Sequence, residues 1–65
     1  RRMTPTMRAV MGYLAGQATG VRKATLVEAL IPQGIARPSA YRAINDMLTA
    51  GLITDTMGQL YVPKE

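Results

Sequence analysis

The chain contains no cysteine, no histidine, no tryptophan and no phenylalanine. Without cysteine there is no disulfide and no thiol chemistry, so a small secreted scaffold stapled by disulfides is excluded. Losing histidine as well removes the commonest metal ligands and imidazole acid–base work. Acidic residues are nearly as scarce. Glu28, Asp46, Asp55 and Glu65 are the only carboxylate side chains, and none is spaced as a pair on one helix. No nucleophile has a histidine base, and Gly12, Gly16 and Gly20 read as helix-end and turn glycines rather than as a phosphate loop. These gaps argue against an enzyme and imply neither a cofactor nor a metal. No apolar run approaches the roughly 18 residues of a membrane span. Arg1 and Arg2 are basic, but the apolar stretch behind them is short and interrupted, unlike a secretory leader. The expectation is a cytoplasmic protein that does not enter a membrane.

What is present is a surplus of positive charge. The 65 residues suffice for one domain, residues 1–65, with a net charge of +4. Arg1, Arg2, Arg8, Arg22, Lys23, Arg37, Arg42 and Lys64 are scattered and must converge in space to form a basic face. Such a balance favours an anionic partner such as nucleic acid, against the plainer reading that the charge serves solubility. The abrupt Arg1-Arg2-Met3 start and Lys64-Glu65 stop are compatible with a fragment of something longer.

Apolar spacing and stop signals divide the chain into helix, helix, turn, helix and hairpin. Thr4 as N-cap and Pro5 at the first helical position open a helix that runs to Gly16 or Ala18, with Met7, Val10, Met11 and Leu14 as its stripe. Gly12 either weakens this helix or admits a close neighbour. Gly20 marks a turn, and Val21 is a candidate for a very short strand beside the hairpin. Ala24 to Ile31 form the second helix, which buries Leu26, Val27, Leu30 and Ile31 and ends at Pro32. After the turn through Gly34, Ile35 returns to the core. A third helix covers Arg37 to Ala50, with Pro38 in its first turn and Gly51 as its stop. Ala40, Ile44, Met47 and Leu48 form its apolar face, and Arg37, Ser39, Arg42, Asn45 and Thr49 its polar one. Leu52-Ile53-Thr54 and Leu60-Tyr61-Val62 then read as two strands around a turn at Asp55 to Gln59, and Pro63 stops the second. The expected core is Val10, Leu14, Leu26, Leu30, Ile35, Ile44, Met47, Ile53, Leu60 and Val62. The fold class is α+β, three short helices covered on one side by a C-terminal β-hairpin.

The run Ile35-Ala36-Arg37-Pro38-Ser39-Ala40-Tyr41-Arg42-Ala43-Ile44 resembles the turn and recognition helix of prokaryotic winged helix-turn-helix regulators. Met47-Leu48-Thr49-Ala50-Gly51-Leu52-Ile53 resembles their closing signature, and the hairpin matches their wing. The resemblance covers Met7 to Val62 and is more specific for the fold than for any subfamily. It implies that the third helix enters the major groove of double-stranded DNA with its first turns against base edges. It places Arg37, Pro38, Ser39, Tyr41, Arg42 and Asn45 at the contact positions, and the wing tip, Thr56 to Gln59, near the minor groove or the backbone. Two positions depart from the family pattern. Ala36 stands where a serine or threonine cap is usual, and the wing tip carries no lysine or arginine.

Each candidate has a plainer reading beside the functional one. Arg42 is suited to guanine or phosphate, or to an i,i+4 pair with Asp46. Arg37 at the helix start suits phosphate. Asn45 suits adenine, or is a helix-face amide. Tyr41 suits a sugar or a thymine methyl, or closes the core edge against the second helix. Ser39 donates to phosphate or only to local backbone. Arg22 and Lys23 suit phosphates flanking the groove, or are an ordinary charged turn. The leading expectation is sequence-specific duplex binding, in transcription regulation or in plasmid or phage DNA maintenance, strengthened by a homodimer or a further domain. A winged helix used for protein interaction or assembly is the alternative, motivated by the neutral wing. Non-specific binding of RNA or single strands comes third, because Tyr13, Tyr41 and Tyr61 are the only aromatic residues and make a thin stacking surface.

Overall fold

The computed structural model describes residues 2–63. Helix α1 spans Pro5–Ala15 and begins as its sequence dictates. The Thr4 hydroxyl accepts from the Met7 amide at 3.1 Å, and Pro5 occupies a position whose missing N–H costs the helix nothing. Met7, Val10 and Leu14 are its buried side. A two-residue strand β1, Val21–Arg22, follows the loop and leads directly into α2, Lys23–Leu30. That helix starts and ends one residue earlier than its sequence led us to expect. Ile31 to Gln33 instead make a 3₁₀ turn that holds Pro32, and Ile31 lies outside the core, 36% exposed.

Helix α3 covers Arg37–Ala50, the span read from its sequence. Its exit uses a Schellman pattern. Gly51 takes a φ of 78°, its amide donates to the Leu48 carbonyl at 3.2 Å, and the Leu52 amide donates to the Met47 carbonyl at 2.9 Å. The same device ends the 3₁₀ turn. Gly34 takes a φ of 86°, its amide reaches the Ile31 carbonyl at 2.9 Å, and that of Ile35 reaches Leu30 at 3.4 Å. Two left-handed glycines therefore bracket α3, one in the turn before it and one at its exit.

The hairpin is shifted along the chain relative to its expected position. Leu52 and Ile53 belong to the helix exit, and the strands are β2, Thr54–Thr56, and β3, Gln59–Tyr61. Thr56 pairs with Gln59, so the turn is Met57 and Gly58 alone, with φ values of 53° and 82°. Positive φ at both positions is what a type I′ turn needs to match the strand twist. Asp55 and Thr56, expected in the turn, are strand residues. β3 also pairs antiparallel with β1, Val21 opposite Leu60 and Arg22 opposite Gln59, which completes a three-stranded sheet in the order β1-β3-β2.

The core lies between the three helices and the inner face of this sheet. Val10, Leu26, Val27, Leu30, Ala40, Ile44 and Met47 are completely buried, with Ile53 and Leu60 nearly so. Ala43 is buried as well, although its residue type gave no sign of it. Ile35, Leu48 and Val62 pack against this core only in part. No polar side chain is buried among the described residues, so the interior rests on apolar packing without buried polar networks. The result is a small α+β domain of three helices and a β-hairpin wing, consistent with a winged-helix type of fold. No helix among the described residues is long and apolar enough to cross a membrane.

Candidate nucleic-acid interface

The buried face of α3 decides what the helix presents to the outside. Ala40, Ala43, Ile44 and Met47 point into the core. At about 100° per residue, Pro38, Arg42, Asn45 and Thr49 fall on the opposite side. All four are exposed and form a stripe that runs most of the helix. Arg37 and Ser39, grouped with them in the sequence, lie on the two flanks instead. Tyr41 shares the Arg37 flank and is 39% exposed.

The Arg37 flank turns toward α2. There the Arg37 guanidinium donates to the Glu28 carboxylate in an exposed ion pair. The hydrogen bond and then the negative charge of Glu28 raise the Arg37 pKa above the ordinary arginine value, with a smaller contribution from Tyr41. Arg37 is thus charged but partnered, and the pair ties the start of α3 to the body of α2. Glu28 is exposed on α2, and nothing in the local sequence signals this partner nine positions away.

The Ser39 flank turns toward the beginning of α1. Ser39, Arg42 and Asp46 share a shallow hollow of about 210 Å³ with Thr4 and Thr6. Arg42 and Asp46 line it together but form no ion pair, and the Arg37–Glu28 bridge is the only one among the described residues. The Arg42 guanidinium therefore keeps its donors available on the outermost part of the helix. Thr4 and Thr6 border this face although nothing in their sequence context pointed to it. Thr4 was legible only as a cap, because its approach to α3 is a tertiary contact.

Arg22 and Lys23 stand where the sheet becomes α2. Val21 points into the core, so Arg22 points outward, beside its strand partner Gln59 and in line with Thr56. Arg22 also occupies the N-cap position of α2 with no side-chain hydrogen bond, and Lys23 is the first helical residue. Neither α2 nor α3 has an acidic residue in its first turn, and Ala36 leaves α3 without a side-chain cap. Basic residues at a helix N-terminus oppose the helix dipole, and free amide donors there favour an anion. The outer face of the sheet is otherwise neutral. Thr56 and Tyr61 join their hydroxyls across it at 3.0 Å.

The arrangement is an exposed polar helix face with one guanidinium that has no partner among the described residues, one amide, and one phenol on its flank. An uncapped basic helix start lies at α2. Among the described residues there is no cluster of carboxylates that could hold a metal ion. Compared with protein-family models, curated proteins and solved structures, the chain matches none of them, and the reading of this face rests on its own chemistry.

Proposed function

We propose that this domain binds double-stranded DNA in a sequence-dependent way, with α3 in the major groove. The observation that carries the reading is Arg42, exposed and in no ion pair among the described residues, with Asn45 one turn further along the same outward stripe of α3. A guanidinium fork suits the O6 and N7 acceptors of guanine, and a carboxamide suits the N6 and N7 edge of adenine. Tyr41 adds an apolar ring edge for a thymine methyl or a sugar. Arg22 and Lys23, with the uncapped amides of α2, suit a backbone phosphate, and Ser39 suits a second. Arg37 joins them only by exchanging Glu28 for phosphate. The domain would act by occupying a site, as a regulator of transcription or in plasmid or phage DNA maintenance within the cytoplasm. Pairing with a second copy or a further domain would enlarge its small footprint.

An amide NMR titration with a mixed-sequence duplex, at low and then moderate salt, tests the reading. Shifts confined to 37–45 and 22–23 that collapse with salt are the expected result. Arg42→Ala then relaxes sequence preference and costs about 1–3 kcal/mol, whereas Arg22→Ala weakens all duplexes about equally and lowers the salt slope. A spectrum unmoved at low salt sinks the proposal. It would favour the second reading, a protein-interaction domain, which the exposed Tyr41, Met57 and Tyr61 support.

A further inference from the structure

One basic residue is neutralised by the protein itself. Arg2, Arg8, Arg22, Lys23, Arg37 and Arg42 are the basic side chains among the described residues, and Arg37 alone of them has an ion-pair partner there. That partner, Glu28, is the only acidic residue of α2 and reaches Arg37 from the neighbouring helix. The side chains of Arg37 and Glu28 are 57% and 61% exposed, so the pair stays open to solvent and to a ligand. An exposed pair of this kind adds little to stability. Its larger consequence is for what the guanidinium can hold.

Arg37 stands where that consequence matters. It is the first residue of α3, and Tyr41 and Asn45 follow it at intervals of four. Such a row runs along one side of a helix, here from the α2 flank onto the outward stripe. The first turn of α3 has no acidic residue and no side-chain cap, and the carboxylate that Arg37 receives comes from α2. A guanidinium fork fits a carboxylate and a phosphate by the same geometry. The donor that Glu28 takes, and the charge that it neutralises, are both lost to a phosphate. A nucleic-acid backbone is the partner for which this counts most, because its affinity grows with each cation free to displace a counterion.

Resting on the duplex-binding reading above, we propose that Glu28 is a built-in competitor of the DNA backbone: it holds Arg37 in the free protein, and a phosphate must displace it to gain that contact. The affinity of the domain is thereby held below what its basic residues allow. Opening the pair is part of binding, and removing the Glu28 charge tightens the complex. The effect runs through Arg37. A carboxylate acting only by its overall charge repels phosphate whether or not Arg37 is present, whereas a competitor requires it.

A double-mutant cycle separates the two. Wild type, Glu28→Gln, Arg37→Gln and the double variant are titrated with one mixed-sequence duplex at moderate salt, where screening shortens the reach of an unpaired charge. Each is measured well below its own melting transition, so that the changes report binding. Glu28→Gln should bind about threefold to fivefold more tightly than the wild type, the range set by the strength of an exposed ion pair. In the Arg37→Gln background the same substitution should change affinity by less than about twofold, the residue of screened repulsion. Equal gains in the two backgrounds, or no gain in either, would overturn the competitor and leave duplex binding standing. No binding of the duplex by the wild type or by Glu28→Gln at low salt would overturn both.

Discussion

At the scale of single residues, two glycines of similar appearance in the sequence have opposite meanings in the structure. Gly12 lies on the exposed side of α1, and a Cβ added there would meet nothing within 4 Å. Gly20 sits against β3, where an added Cβ would come within 2.7 Å of the Gln59 Cβ. That atom is fixed by its own backbone and cannot swing aside. Gly12→Ala should therefore stabilise the protein by up to about 1 kcal/mol through helix propensity. Gly20→Ala should destabilise it by about 1–3 kcal/mol by forcing the loop from the sheet. Chemical denaturation of the two variants beside the wild type checks both signs. The Arg37–Glu28 pair belongs to the same scale. Its raised arginine pKa means that the guanidinium contributes below the unfolded value and is lost only as pH rises through the folded one. That window lies in strong alkali, so arginine titration gives the pair no pH dependence near neutrality.

At the scale of elements, α1 and α3 differ in how they begin. Thr4 caps α1 with its hydroxyl, whereas Ala36 gives α3 nothing, although its φ of −69° and ψ of 149° suit a capping residue. Ala36→Ser should then supply the missing acceptor and raise stability by about 0.5–2 kcal/mol. A higher melting temperature with an unchanged denaturant slope would show it, and no change would mean that the serine fails to reach the α3 amides. The hairpin shows how boundaries are decided at this scale. Leu52 and Ile53 look like a strand because both are apolar and Ile53 is β-branched. In the fold they complete the Schellman exit of α3 and fill the core, and pairing begins only at Thr54.

For the whole molecule the decisive quantity is how little core a chain of this length can hold. A domain of this size buries only about 60% of the surface that its unfolded chain exposes. Ile44 is completely buried on α3, the helix that packs against both α1 and α2. Ile44→Ala should cost about 2–5 kcal/mol, a large part of the total stability, and leave the domain largely unfolded at ambient temperature. Circular dichroism melting checks this, and an unchanged curve would contradict the packing of α3. The extents of 30 × 26 × 18 Å set the functional scale too, since α3, about 21 Å long, spans most of one face.

The sequence by itself determined the order of the elements, the bounds of α3 and most of the core. Those features rest on local physics: apolar periodicity, a threonine cap, prolines in first turns and glycines at left-handed exits. Ala43 escaped because alanine is equally at home on either face of a helix. Only the tertiary structure decided which members of the polar face stand free. Arg37 and Arg42 are the same residue type on the same helix, five positions apart. Packing against α2 brings Glu28 to one, and packing against α1 leaves the other open beside Thr4 and Thr6. The register of β3 likewise decided that the turn has two residues and that Met57 is at its tip. Pairing between strands, and between charges on different helices, depends on segments distant in the chain, and local patterns do not encode where those segments meet.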